Sequence, residues 1–482
     1  MIIKSNPDEI QSFLSDASFL KDGHADRVVL PESVEEVSEI LAAANRDRVP
    51  ATVSGAGTGT VGGRVAFGGI VLATDKLNRI KSIVHEDGGG YAVVEAGVIL
   101  SDLQRAVDQE GLLYPPDPTE RGCFVGGTVA TNASGARTFK YGPTRSYIRR
   151  LRVVLASGEI VDLRRGEVQA NSEGRIRVGS AIDVKLPSYR MPATRKSATG
   201  YFVAPQMDAV DLFIGSEGTL GVICEVETRL LPKPEGLLSG VVFFADERDA
   251  LAMVAEARAR ADARALEFFD HESLKFLREK YPEVPANAVG AIFFEQETNA
   301  ASEEAVLNQW MALLDRHHAF ADSWFATNEQ DQARLREFRH QLPVLMNEWF
   351  ARYNQRKVST DMAVSDEAFP GLFRLYKETL KSSGLRYTIF GHIGDNHVHV
   401  NILPRDETEG ARARELYLQF LKYAAAVGGT LSAEHGVGKL KREYLRMFYN
   451  DYQLREMAAL KKAFDPVGIL GRGNIFAEEL LE

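Results

Sequence analysis

Apolar side chains recur at helical spacing across residues 33–46, with Pro31 and Ser33 as start signals, and predict a helix there. The period then shortens. Val49 to Val53 and Gly69 to Thr74 predict strands on either side of a glycine-rich loop, Tyr91 to Val98 a further strand, and Leu100 to Gln109 a helix. Leu151 to Asp162 is strand-rich and broken by Ser157-Gly158, which predicts a hairpin. Gly221 to Leu231 predicts a strand that ends at Pro232-Lys233-Pro234, the clearest domain boundary in the chain. Beyond it the pattern restarts with a strand at Leu238 to Phe244, a helix at Glu247 to Arg260 and a strand at Leu266 to Phe269. Residues 301–318, 328–351 and 443–464 predict helices, the last stopped by Asp465-Pro466. This mixture predicts an α+β protein.

Length makes more than one domain the expectation, because 482 residues exceed what one apolar core organises. A composition 45% hydrophobic and 26% charged is that of a globular chain. The net charge of −10 argues against a nucleic-acid surface, and the basic runs Arg145 to Arg152 and Lys439 to Arg442 read as solvated segments. Cys123 and Cys224 are too few and too far apart for a disulfide framework or thiolate metal site. No secretory signal and no apolar run near the roughly 20 residues of a membrane span is visible. The expectation is a reduced cytoplasmic chain, at most peripheral to a membrane.

Chemistry enters with three glycine-rich segments. The first is Ser54-Gly55-Ala56-Gly57-Thr58-Gly59-Thr60-Val61-Gly62-Gly63, with five glycines in nine residues. Such backbone lets N–H groups approach a pyrophosphate closely. It is neither a P-loop nor a Gly-x-Gly-x-x-Gly turn opening a helix. The second runs from Pro115-Pro116-Asp117-Pro118 to Gly126-Gly127-Thr128-Val129-Ala130-Thr131-Asn132-Ala133-Ser134-Gly135, whose small and hydroxylated residues suit a flat polar ring system. The third holds Glu217-Gly218 and Gly221-Val222-Ile223.

A second constellation lies in Gly391-His392-Ile393-Gly394-Asp395-Asn396-His397-Val398-His399, which holds three of the chain's ten histidines. With Asp395-Asn396 as a two-residue hairpin loop, His392 falls opposite His399, about 5 Å apart at Cβ. His397 shares a strand face with His399 and reads as an outer donor. Glu434-His435-Gly436 adds a carboxylate beside an imidazole. His392, His399 and Glu434 together suit a divalent ion with open positions, zinc first and manganese or iron behind.

These motifs resemble the FAD-linked oxidoreductases with a vanillyl-alcohol-oxidase-type flavin domain, in the branch of D-lactate, glycolate-oxidase-subunit and D-2-hydroxyglutarate dehydrogenases. The likeness runs from Pro31 to Ile475. It implies a two-part PCMH-type FAD-binding domain (1–235) and an antiparallel-sheet-and-helix substrate or cap domain (236–425). A C-terminal segment (426–482) completes the active site and packs back on the FAD domain. By the same likeness the three segments contact FAD. Residues 54–69 lack the histidine that binds flavin covalently in some relatives, so FAD is expected without a covalent bond. The tail Gly471-Arg472-Gly473-Asn474-Ile475, whose Asn474 is expected to contact FAD, departs from the family's usual Asn-Pro-Gly-Lys. The family pattern Gly-His-x-Gly-Asp-Gly-Asn-x-His matches His392 and His399, while Asn396 and His397 replace its Gly-Asn.

The resemblance makes Glu434 the third metal ligand and His435 the general base, with Arg339 clamping the substrate carboxylate. Lys357 is a weaker candidate, because its spacing to Asp361 exceeds the family's Lys-x-Asp. The implied reaction oxidises a D-2-hydroxy acid to the 2-oxo acid, with hydride passing to flavin N5. No second redox motif is present, so electrons leave to an external acceptor such as an electron-transfer flavoprotein, quinone or cytochrome. A homodimer is the default assembly. The rival readings are an O2-using oxidase, a non-catalytic FAD subunit of a glycolate oxidase complex, and an alkyl-dihydroxyacetonephosphate-synthase-like flavoenzyme.

Overall fold

The computed structural model describes residues 1–481. Three large sheets organise the chain, beside a two-stranded one formed by Arg175–Val178 and Ile182–Lys185. The first orders its strands Ile2–Lys4, Arg27–Leu30, Ile70–Ala73, Ala51–Ser54, the last three parallel. Helix Val34–Asp47 makes the crossover between Arg27–Leu30 and Ala51–Ser54. Ser33 accepts the Glu36 N–H at its start, and Val34, Val37, Leu41 and Ala44 form its buried stripe, as the periodicity predicted.

The second sheet is antiparallel, with Val222–Pro232 at its centre between Gly89–Glu95 and Ile148–Val154. Ile148–Val154 and Ile160–Arg164 form the hairpin predicted around Ser157-Gly158. The chain leaves this sheet at Pro232 and begins the third at Gly236, so the Pro-Lys-Pro stretch is where it crosses from one sheet to the next. That third sheet is antiparallel and seven-stranded: Trp324–Ala326, Gly236–Phe244, Gly290–Thr298, Ala263–Asp270, Tyr387–Gly391, His399–Ile402, Val358–Ser359.

One apolar core runs unbroken between the second and third sheets, from Phe213 and Val226 to Leu266, Phe294 and Val400. The C-terminal segment returns to the first sheet: Ala51 donates to the Ile469 carbonyl (2.8 Å), and Gly471 donates back to Ala51 (3.1 Å).

Two sequence expectations change. Residues 443–464 are not one helix: a 3-10 turn over Arg442–Met447 precedes a helix at Asp451–Phe464. Asn450 and Gln453 form a reciprocal capping box that starts the helix afresh. The Asp395-Asn396 loop is also longer than two residues. Phe390, not His392, pairs with His399, and a 3-10 turn over Ile393–Asp395 ends at Asn396, left-handed at φ 54°. Asn396 fits that conformation and fastens the turn, accepting from Arg258 (2.9 Å) and donating to Asp366.

Candidate functional site

A cavity of about 660 Å³ runs between the glycine segments and the end of the third sheet. Glycine is used in two ways around it. A Cβ at Gly59 or Gly127 meets no protein atom within 4 Å, and at Gly55 or Gly63 none within 3.8 Å. All four line the cavity, so their missing side chains leave backbone bare toward a ligand. Gly126, Gly135 and Gly221 serve internal packing, since a Cβ there lands 2.5 Å from Ala96 Cβ, 2.0 Å from the Asp117 carbonyl and 2.7 Å from Val153 Cγ1.

Ala56, Gly57, Thr58, Thr60, Thr128, Ala130, Glu217, Gly218 and Ile223 also line the cavity. Ser54, Pro116, Asp117, Asn132, Gly135, Val222 and Asn474 stand behind its wall. Their bonds brace it. Asp117 accepts from Gln104 and Arg121 and pairs with Arg137. Burial raises its carboxyl, but these arginines prevail and hold it near 2. Asn132 accepts the Arg145 N–H, and Asn474 donates to the carbonyls of Gly63 (2.9 Å) and Glu217 (3.2 Å). Bare, curved backbone of this extent fits a dinucleotide's pyrophosphate and ring.

At the other end of the cavity lie His392, His399 and Glu434, with His397 buried behind them, and each of the four offers one donor atom, all within 4.8 Å of one another. His392 Nδ1 lies 2.6 Å from Glu267 Oε1, and His399 Nδ1 lies 3.1 Å from the Thr360 carbonyl. Those acceptors put the proton on Nδ1 and turn the Nε2 lone pairs toward Glu434, at 3.2 and 3.7 Å. A tetrahedral ion with bonds of about 2.1 Å has edges of about 3.4 Å, so the donors fit a divalent cation. Burial alone would raise the Glu434 carboxyl, yet His392 and Lys196 hold it well below its ordinary range. Burial lowers His399 and pushes His397 down to about 3, whereas Glu267 overcomes burial and raises His392.

His435 also lines the cavity, and its ring is partly exposed. Its Nδ1 stands 3.2 Å from Asp361 Oδ2, an arrangement that leaves Nε2 free to accept a proton. Asp361 is almost fully buried. It also receives Lys441 Nζ (2.7 Å) and the His435 N–H (3.1 Å). Burial raises its carboxyl, but His435 and Lys441 together hold it well below the usual range.

Arg339 reaches the cavity wall from helix Glu329–Tyr353, whose Pro343 and Met346 share that face. Its Nε and Nη2 are taken by Glu267 Oε2 (3.1 and 2.9 Å), and Nη1 faces Thr119 Oγ1 (3.2 Å). The two-pronged side of the guanidinium is therefore engaged within the protein. Lys357 lines the same cavity, and among the described residues it forms no ion pair.

The sequence reading missed Glu267, Asp361 and Lys196. Lys196 is fully buried, with its ammonium 2.7 Å from Glu434 Oε1 and 3.1 Å from Asp395 Oδ2. A lone lysine in a strand-poor stretch carries no local signal of this. Glu267 sits inside a fully buried strand, where a carboxylate between Leu266 and Phe268 was the available clue.

A glycine-walled cavity ending on imidazoles and carboxylates, built on this fold, defines an FAD-dependent oxidoreductase. The chain belongs to the FAD-linked oxidases: residues 25–164 match the FAD binding domain, and residues 233–475 match the FAD linked oxidases, C-terminal domain. It is 31% identical to a protein named glycolate oxidase subunit GlcD from Bacillus subtilis (strain 168), covering 94% of this chain and 89% of that one. It is also 31% identical to a D-lactate dehydrogenase of Anaerostipes hadrus (92% and 88% covered). A D-2-hydroxyglutarate dehydrogenase of Stutzerimonas stutzeri (strain A1501) is 29% identical (93% and 90% covered). Among solved structures, an alkyldihydroxyacetonephosphate synthase superposes with a TM-score of 0.69 at 17% identity, covering 97% of this chain and 82% of that one, a likeness of fold alone. Among the described residues no helix is long and apolar enough to cross a membrane.

Proposed function

We propose that this flavoenzyme oxidises a D-2-hydroxy acid of the D-lactate or D-2-hydroxyglutarate type to the 2-oxo acid, with a divalent cation, zinc first, at His392, His399 and Glu434. The observation that carries the reading is one cavity joining the glycine walls to the histidine–carboxylate cluster and His435. The names of the relatives support the substrate class. When bound, FAD takes up the hydride, and the cation makes the substrate hydroxyl more acidic.

The chain's own residues do the rest. His435 Nε2 takes the hydroxyl proton, while Asp361 holds the ring and stabilises its charged form. Lys357 meets the substrate carboxylate. Arg339 contributes through Nη1 and by holding Glu267 against His392. With both cysteines free and buried and no further redox motif in the sequence, electrons pass to an external acceptor. The name of the Bacillus relative favours a second reading, an FAD subunit that works only within a larger complex.

Anaerobic flavin bleaching by D- and L-lactate, glycolate, D-malate and D-2-hydroxyglutarate tests both readings, on ion-loaded and chelator-treated protein. Rapid bleaching by one D-acid, lost on chelation, is expected. No bleaching by any acid, with FAD and ion both present, would transfer support to the subunit reading. Turnover of the isolated chain with a dye acceptor would exclude that reading.

A further inference from the structure

His397 is the histidine the proposed function leaves idle, and its surroundings are unusual for a core histidine. It has no exposed surface. Neither ring nitrogen makes a hydrogen bond. Nε2 lies 3.2 Å from Asp361 Oδ1, too poorly aligned to count as one, and Nδ1 faces Glu434 Oε1 at 3.9 Å. Buried imidazoles are ordinarily paired at one nitrogen at least, so a ring with both unpaired calls for an explanation.

The neighbours supply it. Its ring centroid is 4.5 Å from that of His399 and 5.4 Å from that of His392. Its arrangement repeats theirs: one nitrogen turned toward an acceptor, the other toward Glu434. Glu267 stands behind His392, the Thr360 carbonyl behind His399 and Asp361 behind His397. This is the outer support that orients a metal-bound imidazole. The turn that places the ring is fixed by the left-handed Asn396 and its bonds to Arg258 and Asp366.

We propose that His397 is a fourth protein ligand, so that the cation is held by three imidazoles and the Glu434 carboxylate. The inference rests on the cation assigned above to His392, His399 and Glu434, and it concerns a residue that replaces the Asn of the motif. Four protein donors complete a tetrahedral ion at rest, and the substrate hydroxyl would then enter as a fifth ligand, an expansion that zinc allows. The site therefore prefers zinc and releases it slowly.

X-ray absorption at the zinc edge, on FAD-containing wild type loaded with one zinc, counts imidazole ligands without any mutation. Three are expected, falling to two in His397→Asn. Competition with a chromophoric chelator is expected to show zinc affinity falling on the order of 100-fold or more in that variant, above the range for losing an outer partner. FAD content, read from the flavin spectrum, serves as the check that the variant folds. Two imidazoles in both proteins would overturn the role of His397 and leave the three-residue site standing. A wild type that takes up no zinc would overturn both.

Discussion

The residue that organises the chemistry is Asp361, which the sequence offers only as a register mark after Lys357. In three dimensions this one buried carboxylate faces His397 Nε2 and His435 Nδ1, neutralises Lys441, and accepts the backbone N–H of His435. An amide in its place presents NH2 to one of these donors, which sets donor against donor and favours the wrong tautomer of His435. Asp361→Asn is therefore expected to slow flavin reduction by about 10²- to 10⁴-fold, with FAD content unchanged. Stopped-flow reduction on zinc-loaded protein reads this directly. A rate within about threefold of wild type would remove Asp361 from the positioning of His435. The glycines carry a similar lesson. Gly126 and Gly127 are indistinguishable as letters, but one is demanded by Ala96 and the other opens on the cavity. Only the packed backbone separates them.

Among the elements, the turn between Tyr387–Gly391 and His399–Ile402 was half legible. Its glycine, aspartate and asparagine signalled a reversal, and its spacing signalled that histidines meet. The shape was not legible, because a 3-10 turn closed by a left-handed residue uses the same residue types as a two-residue loop. That difference has a consequence: with the longer turn, His397 points into the cluster and not along a strand face. Asn396 carries the left-handed conformation, so its variants separate backbone strain from side-chain bonding. Asn396→Gly keeps the conformation and loses the bonds to Arg258 and Asp366. Asn396→Ala loses the bonds and adds roughly 1 kcal/mol of strain. Thermal unfolding should therefore rank wild type above Asn396→Gly and Asn396→Gly above Asn396→Ala, with zinc affinity in the same order. Equal melting of the two variants would show that the turn is not held left-handed. Helix Glu329–Tyr353 was legible to within two residues, including its embedded Pro343. That Arg339 spends its two-pronged side on Glu267 was not, because Glu267 belongs to a distant strand.

At the scale of the whole molecule, the site exists because the chain returns. Its glycine walls come from the first two sheets, its histidines from the third, and Glu434 and His435 from the segment that then runs back to pair with Ala51. The family resemblance of the motifs implied the flavin domain, and the prolines at Pro232–Pro234 marked the crossing between sheets. They do not say what holds the walls in register. Asn474 does part of that from behind the cavity: it donates to the carbonyls of Gly63 and Glu217 and accepts from Lys439, joining the first glycine segment, the third and the tail. Glu217 in turn accepts from Val437 and Gly438 at 2.7 Å each, so the same brace reaches the Glu434-His435 turn. Two of the bonds of Asn474 hold cavity-lining backbone, and at about 1 kcal/mol each their loss should weaken FAD binding by about 10- to 100-fold in Asn474→Ala. The residue does not line the cavity, so variant refilled with excess FAD should be reduced by substrate at the wild-type rate. Titration of apoprotein with FAD and single-turnover reduction separate the two quantities. Weaker binding at an unchanged reduction rate identifies Asn474 as a brace, whereas a slowed reduction at full FAD occupancy would mean that the tail positions the reacting groups themselves.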